Sequence, residues 1–370
     1  MFMKKEWELG SEFDWSNEFL MASKTNNFLP KIYELFSTGT ACLISLNNLL
    51  NQNQGRQLRL HLPSFSCMDF ATKLKKYFEI CWYRDLPTQE SPDFNSLNTF
   101  PGDLVLAVNL FGVRQRKCWQ DWLSKHNEII LIEDHSHDPF SSWAQQSNAH
   151  YAIASLRKTL PIPNGGIIWS PQNIKLPKAS SESPASCKKL TAMLLKRAYI
   201  SGANISKDIY RRLEIESEEE LDCETNYAAS TFTSNILNCL NIGEFRRKRE
   251  RNVKQFLAWI SITNHPNWTP IFTSWPDGSV PFNSIIVCKD PENREALRNY
   301  LISQNIFPPI HWPQTPENSS NDPLAIDLSK RILTIPTDQR YSLDDISRVA
   351  AKFREFFQQY DNLAISMIGG

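Results

Sequence analysis

The sequence predicts an α/β fold with a mostly parallel β-sheet, and three observations support this prediction. Strand-like and helix-like segments alternate several times between residues 37 and 134, as in a doubly wound sheet with right-handed crossovers. The segment LVLAVNLFG, at 104–112, is mainly apolar, which is typical of a strand that is buried on both faces. Toward the C-terminus the strands and helices become fewer, which indicates a second, smaller α+β domain.

The elements of the predicted sheet follow in chain order. Ser37-Thr38-Gly39 precede CLISLNNLLNQ, where leucine and isoleucine recur at helical spacing, so a capped helix begins there. Residues 171–186 are rich in proline and serine, which predicts a loop. The patterns between these segments predict helices at 68–78 and 118–127 and strands at 57–63, 79–85, 104–112, 129–134, 150–155 and 167–169.

The second half of the chain is predicted to be mainly helical. Residues 187–212 have a helical pattern, and the acidic run IESEEELD after them predicts a solvated helix entrance. Ser342 is predicted to cap the last helix, with Asp345 as its capping-box partner. The remaining patterns predict a long helix at 228–260 broken near 241–243, strands at 280–289 and 331–338, and helices at 291–305 and 342–360.

The composition suggests two domains and excludes some partners. A chain of 370 residues that is 41% hydrophobic can form one large and one smaller core. We predict a large domain at 1–235, which includes an N-terminal arm, and a small domain at 236–370. Because 40 Lys and Arg balance 40 Asp and Glu, no overall electric field favours nucleic acid. The basic run RRKRERN is interpreted as an exposed helix face.

Three features predict the cellular context. No apolar run reaches 18 residues, so we expect no membrane span. The first residues lack the apolar segment of a signal peptide. The eight cysteines are scattered without a CxxC pair, which is typical of reduced thiols rather than of disulfides or a metal site. We therefore expect a cytoplasmic protein without a bound metal.

Polar residues at three predicted element ends suggest one site. Asp134 ends a buried strand, and Lys158 follows the next one. Ligands of open α/β sheets bind at the carboxyl ends of the strands. An aspartate that keeps a pyridine nitrogen protonated and a lysine that bonds to an aldehyde are what pyridoxal 5'-phosphate (PLP) requires. The helix N-terminus at Gly39-Thr40-Ala41 is suited to its phosphate. Each feature alone is more often a cap or a solvated charge, but their joint order favours PLP.

Several segments carry a resemblance to a known family. They are GTACLISLNNLL, LPSFSCMDFATKL, LIEDHSH, SLRKTLPIPNGG, ETNYAAS and LTIPTDQRYSLDDI, which lie within residues 9–355. These segments resemble the DegT-type sugar aminotransferases, PLP-dependent enzymes of fold type I. The resemblance implies a seven-stranded-type sheet flanked by helices and a homodimer with the active site at its interface. It also implies amino transfer from a glutamate-like donor to a nucleotide-linked keto sugar, in cell-surface polysaccharide biosynthesis.

The resemblance implies a role for each matching residue. Lys158 would be the catalytic lysine that bonds to the cofactor, and Asp134 would pair with the pyridine nitrogen. The other residues expected at the cofactor are Gly39, Thr40, Ala41 and Ser155 at the phosphate, Cys67 over the ring, His137 near the 3-oxygen, and Asn226, which would come from the other subunit. Arg157 is a further candidate for the phosphate. Weaker candidates for binding the substrate are Asn109, Phe111, His311 and Trp312.

Departures from the family pattern keep alternatives open. Cys67 stands where an aromatic residue is common, His137 where a glutamine is common, and Ala228 where an arginine often follows Asn-Tyr. A non-catalytic binding or regulatory protein with this fold is therefore one alternative. Another PLP reaction on a sugar, such as dehydration, is a second, although relatives with that activity carry histidine in place of Lys158. A nicotinamide-binding fold is disfavoured because no GxGxxG follows the first strand.

Overall fold

The computed structural model describes residues 7–21, 28–51, 57–263 and 265–368, with side chains described up to residue 358. By packing, the chain divides into two units. The first comprises residues 12–242 and 275–280, and the second comprises residues 7–11, 243–274 and 281–368. The predicted division into 1–235 and 236–370 stays a prediction, and packing places the change after Ile242.

The first unit contains a seven-stranded sheet in the order β1-β7-β6-β5-β4-β2-β3. Its strands are β1 (Glu34–Phe36), β2 (Leu58–Pro63), β3 (Phe78–Tyr83), β4 (Leu104–Val108), β5 (Ile130–Asp134), β6 (Tyr151–Ser155) and β7 (Gly166–Trp169). The neighbours from β3 to β6 are parallel, whereas β7 is antiparallel to both β6 and β1. The predicted mostly parallel sheet is confirmed.

Helices flank this sheet. They are α1 (Gly39–Leu50), α2 (Met68–Leu74), α3 (Lys117–Leu123), α4 (Ser142–Gln145), α5 (Ala185–Ile200), α6 (Lys207–Cys223) and α7 (Thr231–Ile236). Strand β4 is buried along its whole length, which explains its apolar sequence. One core cluster packs Trp119, Trp122 and Trp143 against Val105 and Leu131. Burial of these large side chains holds α3 and α4 to the sheet.

Two predicted elements end earlier than expected. The strand predicted at 104–112 ends at Val108, because Phe111 and Gly112 have left-handed backbones with φ of 54° and 75°. The helical pattern predicted at 187–212 is interrupted after Ile200, where Gly202 has φ of 92°. The acidic run therefore lies inside α6 rather than at a helix entrance.

Helices α5 and α6 form a hairpin, residues 185–223, whose interior includes charged side chains. Lys189, Lys196 and Glu214 are all buried within it. The Lys196 ammonium lies 3.7 Å from the Glu214 carboxylate. Two thiols at the start of α5 and the end of α6, Cys187 and Cys223, are exposed. The interior of the hairpin thus combines buried ion pairs with apolar contacts from Ala192, Met193, Tyr210 and Leu221.

The second unit contains a three-stranded antiparallel sheet in the order β10-β9-β8. Its elements are α8 (Ile242–Thr263), β8 (Trp268–Pro270), β9 (Ser284–Cys288), α9 (Pro291–Ser303), α10 (Pro323–Arg331), β10 (Ile332–Ile335) and α11 (Leu343–Ile368). The capping box is present, because the Asp345 amide donates to Ser342 Oγ at 3.2 Å and the Ser342 amide donates back to Asp345 Oδ2 at 2.9 Å. Among the described residues, every helix is too short or too polar to span a bilayer.

Candidate active site

The register of the parallel strands brings the ends of three strands to one edge of the sheet. Asp134, the last residue of β5, is in register with Val108 of β4 and with Ile153 of β6. The next residue after β4, Asn109, donates its amide to the Asp134 carbonyl at 2.9 Å. The carboxyl ends of β4, β5 and β6 therefore form a continuous backbone platform, as the sequence predicts for this fold.

A chain of hydrogen bonds joins Asp134 to Ser155. The Ser136 amide donates to Asp134 Oδ1 at 2.8 Å, and Ser136 Oγ accepts the Ser155 amide at 2.8 Å. The loop after β5 is thus fixed to the end of β6, and one carboxylate oxygen is oriented by the backbone. Sequence reasoning missed Ser136. The signal for it is a hydroxyl between two histidines directly after the strand that carries Asp134.

The N-terminus of α1 lies beside the same strand end. The Thr38 hydroxyl accepts the Ala41 amide at 3.0 Å, whereas the amides of Gly39 and Thr40 have no acceptor within the helix. A β-carbon on Gly39 would lie 3.4 Å from that of Ser155. Two helix amides and the Ser155 hydroxyl therefore lie close enough to bind one anion.

Gly166 makes this approach possible. A β-carbon at that position would lie 2.7 Å from the Gly39 nitrogen and closer still to the Thr38 carbonyl. Because those atoms are backbone, no rotamer change relieves the clash. The second glycine of the Gly-Gly pair thus lets the helix N-terminus lie directly against β7.

Lys158 is the last residue of a 3₁₀ turn, Leu156–Lys158, that follows β6 directly. Its side chain is exposed. The Leu156 amide donates to the Gly165 carbonyl at 2.9 Å, and the Thr159 amide donates back to the Leu156 carbonyl at 3.0 Å. Arg157 in the middle of the turn forms an ion pair with Glu218 of α6 at 2.7 Å, so its guanidinium is held by a carboxylate of the hairpin.

His137 is buried and held by the left-handed turn after β4. The Phe111 amide donates to His137 Nδ1 at 2.9 Å, and the two rings stack at 5.5 Å. Since Nδ1 accepts, the proton of the neutral ring is assigned to Nε2. A positive φ at a phenylalanine is strained and is found preferentially at functional sites.

A buried ion pair fixes the turn at Asn109. Asn109 Oδ1 accepts the Arg114 amide at 3.1 Å, and the Arg114 guanidinium contacts the Asp85 carboxylate and, at 2.6 Å, the Leu86 carbonyl. Burial raises the pKa of Asp85 to about 6, and the Arg114 charge only partly opposes this shift. One guanidinium is therefore insufficient to offset the desolvation of this carboxylate.

The remaining candidates have separate surroundings. Cys67 is half-buried at the cap position of α2. Asn226 Oδ1 accepts the Ser45 hydroxyl of α1 in its own chain at 3.0 Å. His311 and Trp312 belong to the second unit, where His311 Nδ1 lies 2.8 Å from Thr334 Oγ1. The roles predicted for these four residues stay predictions.

Unpartnered polar groups test whether PLP fits this edge. Within the described part of the chain, neither the Ser37 hydroxyl nor the Asn109 Nδ2 atom has a hydrogen-bond partner, although both residues are fully buried. Such groups are rare in native folds and call for an added partner. Ser37 precedes Thr38, the cap of α1, and the Asn109 amide is hydrogen-bonded to the Asp134 carbonyl. An anion at the helix and an aromatic nitrogen at Asp134 are compatible with these residues, so the cofactor fits.

Solved structures of sugar enzymes share this architecture. A sugar aminotransferase of Streptococcus pneumoniae in its PMP form has a TM-score of 0.63 at 13% identity, covering 97% of this chain and 100% of that chain. The aminotransferase PseC of Helicobacter pylori, involved in the biosynthesis of pseudoaminic acid, has a TM-score of 0.64 at 13% identity over 95% and 100%. An E. coli GDP-4-keto-6-deoxy-D-mannose-3-dehydratase with bound hydrated PLP has a TM-score of 0.57 at 14% identity over 94% and 99%. This chain has their fold.

At these identities the likeness concerns the fold. The sequence matches no protein-family model and no curated protein. The fold that the resemblance implied, a mostly parallel seven-stranded sheet flanked by helices, is confirmed by the strand order and by these structures.

Proposed function

We propose that this protein is a PLP-dependent aminotransferase that transfers an amino group from a glutamate-like donor to a nucleotide-linked keto sugar. The observation that carries the proposal is the contact chain from Asp134 through Ser136 and Ser155 to Gly39. It joins a carboxylate, a hydroxyl and a helix N-terminus, and Lys158 follows Ser155 by three residues. Aminotransfer on PLP needs these four groups at one place.

Each residue has a defined task in this proposal. The amides of Gly39 and Thr40 and the Ser155 hydroxyl bind the phosphate. Asp134, oriented by Ser136, holds a proton on the ring nitrogen through its carboxylate. Lys158 Nζ moves a proton to and from the substrate carbon that carries the amine. When bound, PLP acts as the sink for the electron pair left on that carbon.

The ring environment is assigned to two further residues. Cys67 covers one face of the ring, where a thiol offers less contact area than an aromatic side chain. His137, with its proton on Nε2 because Nδ1 accepts from Phe111, donates to an oxygen on the ring. Neutral histidine is the form compatible with this donor and acceptor pattern.

The similar structures support a sugar as the substrate. PseC is involved in the biosynthesis of pseudoaminic acid, and the DesI structure is described in the presence of its TDP-sugar product. We propose a role in cell-surface polysaccharide biosynthesis on this basis. The E. coli dehydratase favours dehydration as a second candidate. Lys158 argues for amino transfer, because a lysine amine supplies the proton carrier that the transfer requires.

We also propose a homodimer with the active site at its interface, in the cytoplasm. The family resemblance supports the dimer, and a predicted role for Asn226 from the other subunit depends on it. All eight cysteines are free thiols, which supports a reducing compartment. Sedimentation of the purified protein tests the dimer.

The test of the proposed function is chemical trapping of the cofactor. Purified protein is incubated with PLP, reduced with borohydride, digested and mapped. Condensation of the lysine amine with the aldehyde releases water, and hydride reduction then makes the C–N link permanent. We expect a visible absorbance band and a label on Lys158. In Lys158→Ala both should be lost, with turnover reduced by at least about 10³-fold.

Lys178→Ala is the matched control, because this exposed lysine of the same unit pairs with Glu34 and should leave the label unchanged. Loss of the band on adding glutamate supports amino transfer. A label on another lysine would refute the assignment of Lys158. A folded protein without any band would favour the non-catalytic binder.

A further inference from the structure

The residue before Lys158 connects the turn to the α5–α6 hairpin. Arg157 donates from Nη1 to Glu218 Oε1 at 2.7 Å. Glu218 is shared, because Lys189 of α5 donates to the same oxygen at 2.6 Å and also contacts Glu12. The hairpin therefore reaches the turn through a carboxylate held between two cations.

The opposite charges of this cluster are equal in number, and the Lys189 side chain at its centre is withdrawn from water. It contains two cations, Arg157 and Lys189, and two carboxylates, Glu12 and Glu218. Asp222 also faces Arg157, and its charge is matched by Lys73. The Lys189 side chain is only 5% exposed, and those of Arg157 and Glu218 are 25% and 28% exposed. Because interactions are screened less in such surroundings than at the surface, loss of one charge would leave a residual field at the turn.

The geometry of the turn couples Arg157 to Lys158. A 3₁₀ turn has about three residues per turn, so consecutive side chains point about 120° apart. The backbone of the turn sets both directions, so an ion pair that holds the Arg157 side chain also restrains the backbone from which the Lys158 side chain leaves. The backbone bonds of Leu156 to Gly165 and of Ser155 to Ser136 hold the start of the turn. The ion pair with Glu218 holds its middle.

We propose that Arg157 is a positioning residue that, through Glu218, directs Lys158 toward the cofactor and sets the electric field at its amine. The inference rests on the proposed function, since it concerns the lysine that bonds to PLP. It assigns to the hairpin a part in the site that none of the predicted site residues includes. The phosphate is then left to the helix α1 amides and Ser155.

The experiment compares Arg157→Gln, Glu218→Gln and the double variant, each reconstituted with PLP. Two readouts are used: the rate at which borohydride traps the label on Lys158, and the pH midpoint of the visible absorbance. A misdirected lysine should be trapped about tenfold more slowly in either single variant. A unit charge roughly 10 Å from a titrating group shifts its midpoint by about half a pH unit.

The two single variants should shift the midpoint in opposite directions. Glu218→Gln leaves Arg157 unneutralised, which disfavours the protonated amine and lowers the midpoint. Arg157→Gln leaves a negative excess, which raises the midpoint, and the double variant should return close to the wild-type value. Loss of a merely structural contact would shift both single variants in the same direction.

Two controls keep the test decisive. Glu220→Gln removes a carboxylate of the same helix that pairs with Lys188 outside the cluster, so both readouts should stay at wild-type values. Arg157→Lys keeps the charge and should keep the midpoint even if the glutamine variants fold poorly. Wild-type trapping and midpoints in both single variants, or shifts in the same direction, would overturn the inference. A wild-type protein that traps no PLP on Lys158 overturns the proposed function and the inference with it.

Discussion

The strand edge and the hairpin stabilise the same turn, Leu156–Lys158, by different interactions. At the edge, Asp134, Ser136 and Ser155 are joined by neutral or singly charged hydrogen bonds of 2.8 Å, and α1 is placed by direct backbone contact at Gly166. In the hairpin, Lys196 and Glu214 are buried as charges. Backbone contact depends little on solvent conditions, whereas ion pairs depend on pH and salt. The two regions should therefore respond differently to the same change.

A buried and a half-buried carboxylate show this contrast in the direction of their pKa shifts. Asp85, beside the strand edge, faces one guanidinium, and burial raises its pKa to about 6. Glu218, in the hairpin, is also pushed upward by burial, but the charges of Arg157 and Lys189 outweigh it and hold its pKa below its usual value. The sign of each shift depends on the balance between desolvation and the cations in contact, because the more deeply buried Glu214 also contacts two cations and yet burial raises its pKa.

The largest expected effect comes from Gly166→Ala, which tests backbone contact. The new methyl group would overlap the backbone of Thr38 and Gly39, so we expect a loss of at least about 3 kcal/mol or displacement of α1. Urea unfolding measures the loss of stability, which should be the same at low and high salt. The affinity for PLP measures the displacement of α1. Gly39→Ala, whose methyl group would meet Ser155 at an ordinary 3.4 Å, is the control for folding. A well-folded Gly166→Ala protein with normal affinity would contradict the contact.

The next effect is expected in the hairpin, from Lys196→Ala. It removes a partner of Glu214, whose side chain is 2% exposed, while Arg211 at 2.7 Å remains. We expect destabilisation of about 3 kcal/mol, because a buried carboxylate loses one of two cations. Lys188→Ala, in the same helix but paired at the surface, should cost less than about 1 kcal/mol. Equal losses in urea unfolding would show that burial does not distinguish the two lysines.

A third prediction uses pH to separate the two carboxylates. The pKa of Asp85 is raised from 3.8 to about 6 in the folded state, so its contribution to stability is present below pH 3.8 and is lost as pH rises through about 6. The pKa of Glu218 is lowered from 4.5, so its contribution is present above pH 4.5 and is lost as pH falls. The two contributions have opposite slopes.

Asp85→Asn and Glu218→Gln isolate these slopes when urea unfolding is repeated from about pH 2 to about pH 8, a range that includes the window below the usual glutamate pKa. The free energy of unfolding of the wild type, relative to that of Asp85→Asn, should fall by on the order of 2–3 kcal/mol as pH rises from the usual aspartate pKa to about 6. The free energy of unfolding of the wild type, relative to that of Glu218→Gln, should grow with pH and then level off. Parallel curves for the two variants would refute the opposite shifts.

The smallest effect is expected from salt. The outer contacts of the hairpin include ion pairs that are open to solvent, Arg212 with Glu216 and Lys73 with Asp222. Each is worth at most about 1 kcal/mol, and 1 M salt screens charges beyond about 3 Å. Hydrogen exchange of hairpin amides should therefore accelerate several-fold in 1 M NaCl, while amides of β5 stay unchanged. An equal change of hydrogen exchange with salt in both regions would show that these ion pairs do not stabilise the hairpin.

The sequence predicts much of the sheet and part of the site. Apolar runs and alternation locate β2 to β7, and the positions of Asp134 and Ser155 at strand ends follow from them. Parallel strands place such ends at one edge, so their proximity is predictable. The glycine pair before β7 is also visible in the sequence, although its function in admitting α1 is not.

Other features depend on partners that are far apart in the chain. Arg157 and Glu218 are separated by 61 residues, and no periodic pattern links them. The break after Ile200 replaces one predicted helix by two, and that break creates the hairpin that carries Glu218. The bond between Phe111 and His137 needs a left-handed backbone, which sequence patterns rarely predict for phenylalanine.

The exposed thiols of the hairpin have a practical consequence. Cys187 and Cys223 lie at the start of α5 and the end of α6, while the other six cysteines are at least partly buried. A thiol-reactive fluorophore would therefore label the hairpin first. Fluorescence of that label would report whether the hairpin moves when substrate binds, on the natural sequence and with no engineered attachment point.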